Sequence, residues 1–418
     1  MFVPGGLLAF GIKNPIMETV KIIASILFYF LNSILAFYFI LPVILFLIYL
    51  FQKKKFIEFS DFKTSPETDF AAIVTAHQET RFIAPLVDSF LKQCYSNFTL
   101  YIVADDCNTT NLHFEDKRVV ILKTKPALHS KIKSINYAID HFLRPHQVMV
   151  IFDSDNLVHP NYFKALNQYF NNGFKVVQSH MLSKNTKSTY SKLDSVGHIY
   201  YTFTERKVKM DLGLHSAILG LGIAIETKLY KDIRYKDTIG GFDKKLQSQL
   251  ATKVKQIAFA EDAIVYDEKI EEGDALEKQR TRWIFTYFKH FGDSWTLFIA
   301  GLSSFSISRI LLGSSMLRPP MFLLFFLAFI FLILSSLINT ALFYGWIILL
   351  IVYSLNFILI IASQSKQKGM LQSLIFIPLM ITRQLKSLFK IKSAKSDFLK
   401  TEHQHIIYIE ELLKNESS

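Results

Sequence analysis

The sequence predicts an α/β domain with a mostly parallel sheet, held between segments long and apolar enough to cross a membrane. Two observations carry that expectation. Short apolar runs rich in β-branched residues alternate with helically periodic segments from about residue 70 onward. Three long uncharged runs flank that stretch.

The first run, Ile22 to Phe51, holds 30 residues without a charge. As a helix it would reach ~45 Å, more than the ~30 Å hydrocarbon core. It reads as a tilted or Pro42-bent single span, or as one span with an interfacial extension. Its length and the lack of a following small-residue cleavage site disfavour a removed signal peptide. The runs Met321 to Ile338 and Phe343 to Ser363 fit a tight hairpin of spans. Half of the 418 residues are hydrophobic and mean hydropathy is +0.26, in keeping with a membrane-bound chain.

Between the first two spans, Phe70 to Ala76, Thr99 to Ala104, Arg118 to Leu122 and Gln147 to Phe152 read as strands. Arg81 to Cys94 and Lys131 to Phe142 read as crossover helices. Ligands of such sheets bind beyond the carboxyl ends of the strands. Polar clusters stand there: His77-Gln-Glu79, Asp105-Asp106 and Asp153-Ser-Asp155. Five regions follow: 1–55 with the first span, 56–292 as the α/β domain, 293–320 as interfacial helices, 321–363 as the hairpin, and 364–418 as a basic tail.

Charge sets orientation. The net charge is +12, and its lysines and arginines gather at span ends. Lys53, Lys54 and Lys55 follow the first span; Arg309 and Arg318 precede the second. Lys366, Lys368, Arg383, Lys386, Lys390, Lys392 and Lys395 follow the third. The positive-inside rule places these flanks and the α/β domain in the cytoplasm, and the charge reads as contact with anionic membrane lipids. A nucleic-acid partner is not expected, because no helix or strand carries a basic stripe interleaved with aromatics. Cys94 and Cys107 are too few and too poorly spaced for a zinc or disulfide framework.

Four signatures stand in order within the α/β stretch: Lys131 in LHSKIKSINYAI, Asp153-Ser-Asp155, Asp243 in IGGFDKKLQ, and Gln279-Arg-Thr-Arg282-Trp283. Two carboxylates one residue apart at a strand end can hold Mg²⁺ or Mn²⁺; alone, such a pair is commonly an ordinary turn. Gln279, Arg282 and Trp283 share one helical face by i, i+3, i+4 spacing. Arg282 can clamp a diphosphate and Trp283 can face a sugar ring, while the residues that follow suit an amphipathic helix on the membrane.

With TAHQE, VADDC and LATKVKQIAFAEDAIVYDE, these motifs resemble family 2 glycosyltransferases, in particular the membrane-embedded branch of cellulose, chitin and hyaluronan synthases. The resemblance covers roughly residues 68–290. It implies a GT-A fold, a divalent metal, a nucleotide-sugar donor (a UDP-sugar) and inversion at the anomeric carbon. It implies Asp155 as metal ligand, Asp153 on the metal or ribose, Asp105 and Glu79 on the nucleoside, and Lys131 and Arg282 at the diphosphate. On the acceptor side it implies Gln279, Trp283, Gly220 and Gly222. Asp243 becomes the candidate general base; it also reads as the N-cap of a helix Lys244 to Lys255. Three departures stand out: Gln-Glu79 for Asn-Glu, Phe242 for an acid before Asp243, and Gly-Leu-Gly222 for Gly-Ser-Gly.

The function expected is extension of a polysaccharide at the cytoplasmic face. Three spans are few for a translocation channel, so a processive synthase needs a homo-oligomer, an export partner, or Met370 to Ile381 within the membrane. Transfer of one sugar to a lipid-linked acceptor is the alternative enzyme. A catalytically dead scaffold that binds nucleotide sugar is the non-enzymatic one.

Overall fold

The computed structural model describes residues 15–51, 66–233, 235, 241–365, 367, 369–389 and 404–416. Lys53 to Lys55, Lys366, Lys368, Lys390, Lys392 and Lys395 lie outside the described residues.

The chain begins with α1 (Pro15–Phe51) and enters the sheet at β1 (Phe70–His77), followed by α2 (Ile83–Leu91), β2 (Phe98–Asp105) and β3 (Val119–Lys123). Then come α3 (Lys131–Asp140), β4 (Val148–Asp153), β5 (Leu157–Val158), α4 (Tyr162–Asn171) and β6 (Val176–Ser183). The helix α5 (Thr189–Thr202) runs through a π-turn (Phe203–Lys207) into α6 (Val208–Asp211). Next are β7 (Ile223–Glu226), α7 (Thr227–Ile233), α8 (Phe242–Lys253), β8 (Ala258–Asp267) and α9 (Gly273–Lys289). The further elements described are helices: α10 (Phe291–Ser303), α11 (Ile307–Leu317), α12 (Met321–Ile338), α13 (Thr340–Gln364), α14 (Met370–Ser373), α15 (Ile377–Phe389) and α16 (Ile409–Glu416).

The sheet order is β3-β2-β1-β4-β7-β6-β8-β5. The four strands read from the sequence form its parallel half. The other half is mixed: β7 lies antiparallel to β4 and β6, while β6 and β8 are parallel. Both faces are covered, which is why the strands read as unbroken apolar runs. Phe70, Ala72 and Val74 pack toward Phe90 and Phe163 on one side. Ala71 and Ile73 pack toward Ile135 and Leu246 on the other.

Among the described residues, three helices are long and apolar enough to cross a membrane: Ile16–Phe51, Met321–Ile338 and Thr340–Gln364. The first is one helix with Pro42 inside it. Trp346 Nε1 of α13 donates to Asn32 Oδ1 of α1 at 2.8 Å, and Phe39 packs edge-on against Trp346 and Tyr353. Met370 to Ile381 does not form a span of its own. It breaks into α14, a 3-10 turn and the start of α15, and Met380 packs with Leu193, Ile270 and Leu276 of the α/β domain.

The helices α10 and α11 form a hairpin tightened by two glycines. A Cβ on Gly313 would meet Phe298 Cα at 2.7 Å, and one on Gly301 would meet Ile310 N at 2.6 Å. The hairpin docks on α8, where Arg309 donates to the Ala251 and Thr252 carbonyls at 3.2 Å each and so caps that helix C-terminus. Its outer side exposes Trp295, Ile299, Leu302, Phe305 and Ile307, the apolar face expected of an interfacial element.

A buried ion cluster joins the α/β domain to the entrance of α12. Glu205, in the π-turn, accepts from Lys209 Nζ at 2.6 Å and pairs with Arg318 Nη1 at 2.9 Å. Burial alone would raise the Glu205 pKa, but the two cations hold it well below the usual carboxylate range.

Nearby, His215 is buried and accepts the Ile257 N–H on Nδ1 at 3.0 Å. Burial, helped by Arg309 and Lys209, lowers its pKa to about 4. Above the unfolded value of ~6.5 the ring is neutral in both states and contributes no pH dependence. As pH falls from there toward 4, the unfolded chain takes a proton that the folded chain refuses. Stability should therefore drop, by about 3 kcal/mol in total. Thermal unfolding in detergent between pH 7 and 4.5 should show this, and His215→Asn, whose amide oxygen can still accept from Ile257, should flatten the curve. An unchanged slope in the variant would remove His215 as the cause.

Candidate active site

The carboxyl ends of β1, β2 and β4 open on one side of the parallel half. Asp153 is the last residue of β4, and the chain turns sharply after it. Asn156 holds that turn: its Oδ1 accepts the Asp153 N–H at 2.9 Å, and its Nδ2 donates to Asp267 Oδ1 at 3.2 Å. Asp267 ends β8 as Asp153 ends β4, so two strand ends bring three carboxylates, Asp153, Asp155 and Asp267, to one place. Burial raises the Asp267 pKa and the like charges of Asp155 and Asp153 add to the rise, against the opposing pull of Lys269. Lys269 Nζ sits 3.1 Å from Asp267 Oδ2. Buried Lys184 donates to the Asp155 backbone carbonyl, and burial lowers its pKa despite Asp155, Asp267 and Glu268 around it.

The cations of the sequence motifs face this cluster. Lys131, first residue of α3, pairs with Asp153, donates to the Gly220 carbonyl at 2.9 Å and lies 5.6 Å from the centroid of the Phe242 ring. Burial lowers the Arg282 pKa, while the charges of Asp153 and Asp243 pull it back up. Lys131, Asp153, Gly220 and Phe242 thus meet next to Asp243, and Arg282 feels the charges of Asp153 and Asp243.

Asp243 differs from its expected setting. The helix α8 begins at Phe242, two residues earlier than the expected Lys244, and its N-cap is Gly241 with φ +83°. Asp243 is therefore the second helical residue, where a carboxylate favours the helix dipole without capping. The reason is Gly241: its left-handed backbone turns the chain where a side chain would collide with Thr286 of α9 (Cβ to Cβ 2.7 Å). That contact locks the start of α8 to the helix that carries Arg282. Asp243 also acts on buried Arg206 of the π-turn, whose pKa burial lowers to about 10 against the pull of Glu205 and Asp243.

On α9, Gln279 Oε1 is buried and has no hydrogen-bond partner among the described residues. Trp283 is 44% exposed. Arg280 covers one face of its ring at 4.2 Å and is itself held by Asp194, so the indole is fixed by its neighbour. Gly222 has φ +61°, and a Cβ there would lie 3.2 Å from Ser179 Cβ. Its N–H donates to the Ile151 carbonyl at 2.7 Å, so sheet packing accounts for this glycine. Gly220 has only the Phe242 ring near, 3.6 Å from a built Cβ.

Two predicted residues stand apart. The Glu79 carboxylate turns onto its own loop, accepting from the Thr80 and Arg81 N–H groups at 3.0 and 3.1 Å and pairing with Arg81 at 3.2 Å. That cap also delays α2 to Ile83, short of the expected Arg81 start. Asp105 is 1% exposed and pins the loop before α3: it accepts from Thr124 Oγ1 at 2.8 Å, Leu128 N at 2.6 Å and His129 N at 2.8 Å. Burial would raise its pKa, but these donors and His77 hold it below the ordinary value.

The structure adds Lys184 and Arg206 to the residues that the sequence points to. Asp267 had a signal, an acid closing an apolar strand as Asp153 does. Lys184 and Arg206 had none, since only tertiary packing brings them in.

The glycosyltransferase-like family 2 model matches residues 66–286, over half the chain and all of the site just described. This chain belongs to that family. It is a glycosyltransferase with a GT-A architecture. A mannosyltransferase, PcManGT from Pyrobaculum calidifontis in complex with GDP-Man and Mn²⁺, shares the fold with TM-score 0.53 and 13% identity, over 87% of this chain and 99% of that one. S. aureus TarS residues 1–349 match at TM-score 0.37 and 16% identity over 52% of this chain and 64% of that one. No curated protein matches the glycosyltransferase by sequence.

Proposed function

We propose that this glycosyltransferase moves a sugar from a nucleoside-diphosphate sugar, a UDP-sugar in the first instance, onto a growing polysaccharide at the cytoplasmic face, with inversion. The single observation that supports the reading is the pairing of Lys131 with Asp153 beside the Gly220 carbonyl and the Phe242 ring, next to Asp243; Arg282 feels the charges of both carboxylates. Cations for a leaving diphosphate and a carboxylate for an acceptor proton are what such a transfer needs.

Asp153 and Asp155, backed by Asp267, form a hard oxygen set that fits Mg²⁺ or Mn²⁺, and their crowding of negative charge is what a divalent cation relieves. Bound there, the ion would supply charge neutralisation at the diphosphate. Lys131 and Arg282 bind and orient the same diphosphate. Asp243 takes the proton from the acceptor hydroxyl as its oxygen bonds to the anomeric carbon. The bond from that carbon to the diphosphate oxygen breaks, and the nucleoside diphosphate leaves with the electron pair. Gln279 offers its carbonyl oxygen to an acceptor hydroxyl and Trp283 its open side to a sugar ring.

Transfer of one sugar to a lipid-linked acceptor is the second reading. The exposed apolar edge of the α10–α11 hairpin, continuous in sequence with α9, favours it, because it would keep an acceptor in the interfacial layer. One experiment separates these. Purified protein in sealed vesicles of defined orientation is given a panel of nucleotide sugars, and products are weighed by mass spectrometry. A ladder of masses from donor on the α/β-domain side supports polymer synthesis, and a single addition to lipid supports the alternative. Donor hydrolysis without transfer, or no turnover of any donor, would reject both.

A further inference from the structure

Three segments meet at the buried Asp105 carboxylate, and each presents a metal-ligating side chain. His77 closes β1 and stands in register with Asp105 across the sheet. Asp106 is the next residue beyond β2, and His129 donates its backbone N–H to Asp105 Oδ2. Ligand atoms of His77, Asp106 and His129 lie within 4.8 Å of one another. The two imidazole rings are edge to face, 5.2 Å apart.

We infer that His77, Asp106 and His129 form a second cation site, separate from the Asp153/Asp155 pair and suited to a borderline transition ion such as Zn²⁺. Two imidazoles with one carboxylate select Zn²⁺, Co²⁺ or Ni²⁺ over Mg²⁺ and Ca²⁺, which take oxygen.

Independent features support a built site. His77 Nδ1 lies 3.2 Å from Asp105 Oδ2 and from the Asp105 carbonyl oxygen. Both neighbours of Nδ1 are acceptors, so they favour the tautomer with its proton on Nδ1 and its lone pair on Nε2, the carboxylate–histidine arrangement that orients metal ligands. Gln78 Nε2 donates to Asp106 Oδ2 at 2.8 Å, which fixes the carboxylate in the same way. The backbone adds a third feature. Among the described residues four non-glycines have positive φ, and three are Gln78 (58°), Asp106 (54°) and His129 (46°). Left-handed backbone at non-glycine residues gathers where a fold holds functional side chains. Tetrahedral zinc separates its ligand atoms by roughly 3.4 Å, so the group needs to close by about an ångström. Asp106 and His129 are exposed, and their side chains can make that movement.

The test needs no nucleotide sugar, so it stands or falls separately from the reaction proposed above. Full-length protein in detergent, stripped with chelator, is titrated with Co²⁺ followed by visible absorption, then with Zn²⁺ as competitor. Wild type is expected to show nitrogen–oxygen cobalt bands at one ion per chain, displaced by Zn²⁺. His129→Asn and Asp106→Asn should weaken binding by ~10²-fold; both new residues tolerate left-handed backbone, and a melting curve confirms folding. Asp155→Asn should leave the bands intact. No cobalt bands in wild type, or bands lost in Asp155→Asn and kept in the other two variants, would overturn the inference.

Discussion

Asp155→Asn is expected to lower sugar transfer by about 10²-fold or more, the scale of removing a metal's help from a leaving diphosphate. Chelation of the wild type should do the same, with recovery in Mn²⁺ or Mg²⁺; full turnover in excess chelator would end the metal-dependent reading. The substitution leaves Lys184 in place, because that lysine is bound to the Asp155 backbone carbonyl. It also removes one of the charges that raise the Asp267 pKa. Thermal stability should therefore hold or rise while activity falls, which separates a lost function from a lost fold. Asp153→Asn should cost less. It sets Lys131 loose from its pair with Asp153, and the freed ammonium remains available to the diphosphate.

The sequence made the parallel half of the sheet legible because burial on both faces writes β1, β2 and β4 as continuous apolar runs. The spans are legible for the same reason on a larger scale, and two of the motif residues, Lys131 and Asp153, pair in the fold. The other half of the sheet was hidden: β7 has four residues, and β6 and β8 pair across a bulge at Ser179/His180 that breaks the alternation. Gly241 shows a different limit. A glycine two residues before an acid reads equally as a loop end or as a cap, and only the approach of Thr286 decides it. Closing of the α10–α11 hairpin rests on Gly301 and Gly313 meeting backbone, which no local pattern records. The same is true of the C-terminal residues. Gln404 and His405 donate backbone N–H groups to Glu268, and Ile409 and Leu412 pack on Leu157 and Tyr266, bracing the strand ends that carry Asp155 and Asp267.

Asp243→Asn tests the proton acceptor. In the first turn of α8 the carboxylate contributes to the helix dipole by ~0.3–1 kcal/mol, and Gly241 rather than Asp243 sets the cap, so the variant should fold. Its neighbours Arg206 and Arg282 lose a counter-charge but keep Glu205 and Asp153 respectively. Turnover should fall on the order of 10²-fold or more, as when a positioned base is lost. Donor affinity should barely change, because the interaction removed is made mainly in the transition state. Single-turnover transfer and nucleotide-sugar binding, measured on the same preparation, read the two apart. If transfer survives, Asp243 is a dipole residue and the base lies elsewhere. Glu261 is held by Lys207, which leaves Asp267, raised by burial beside Asp155, as the next carboxylate to test.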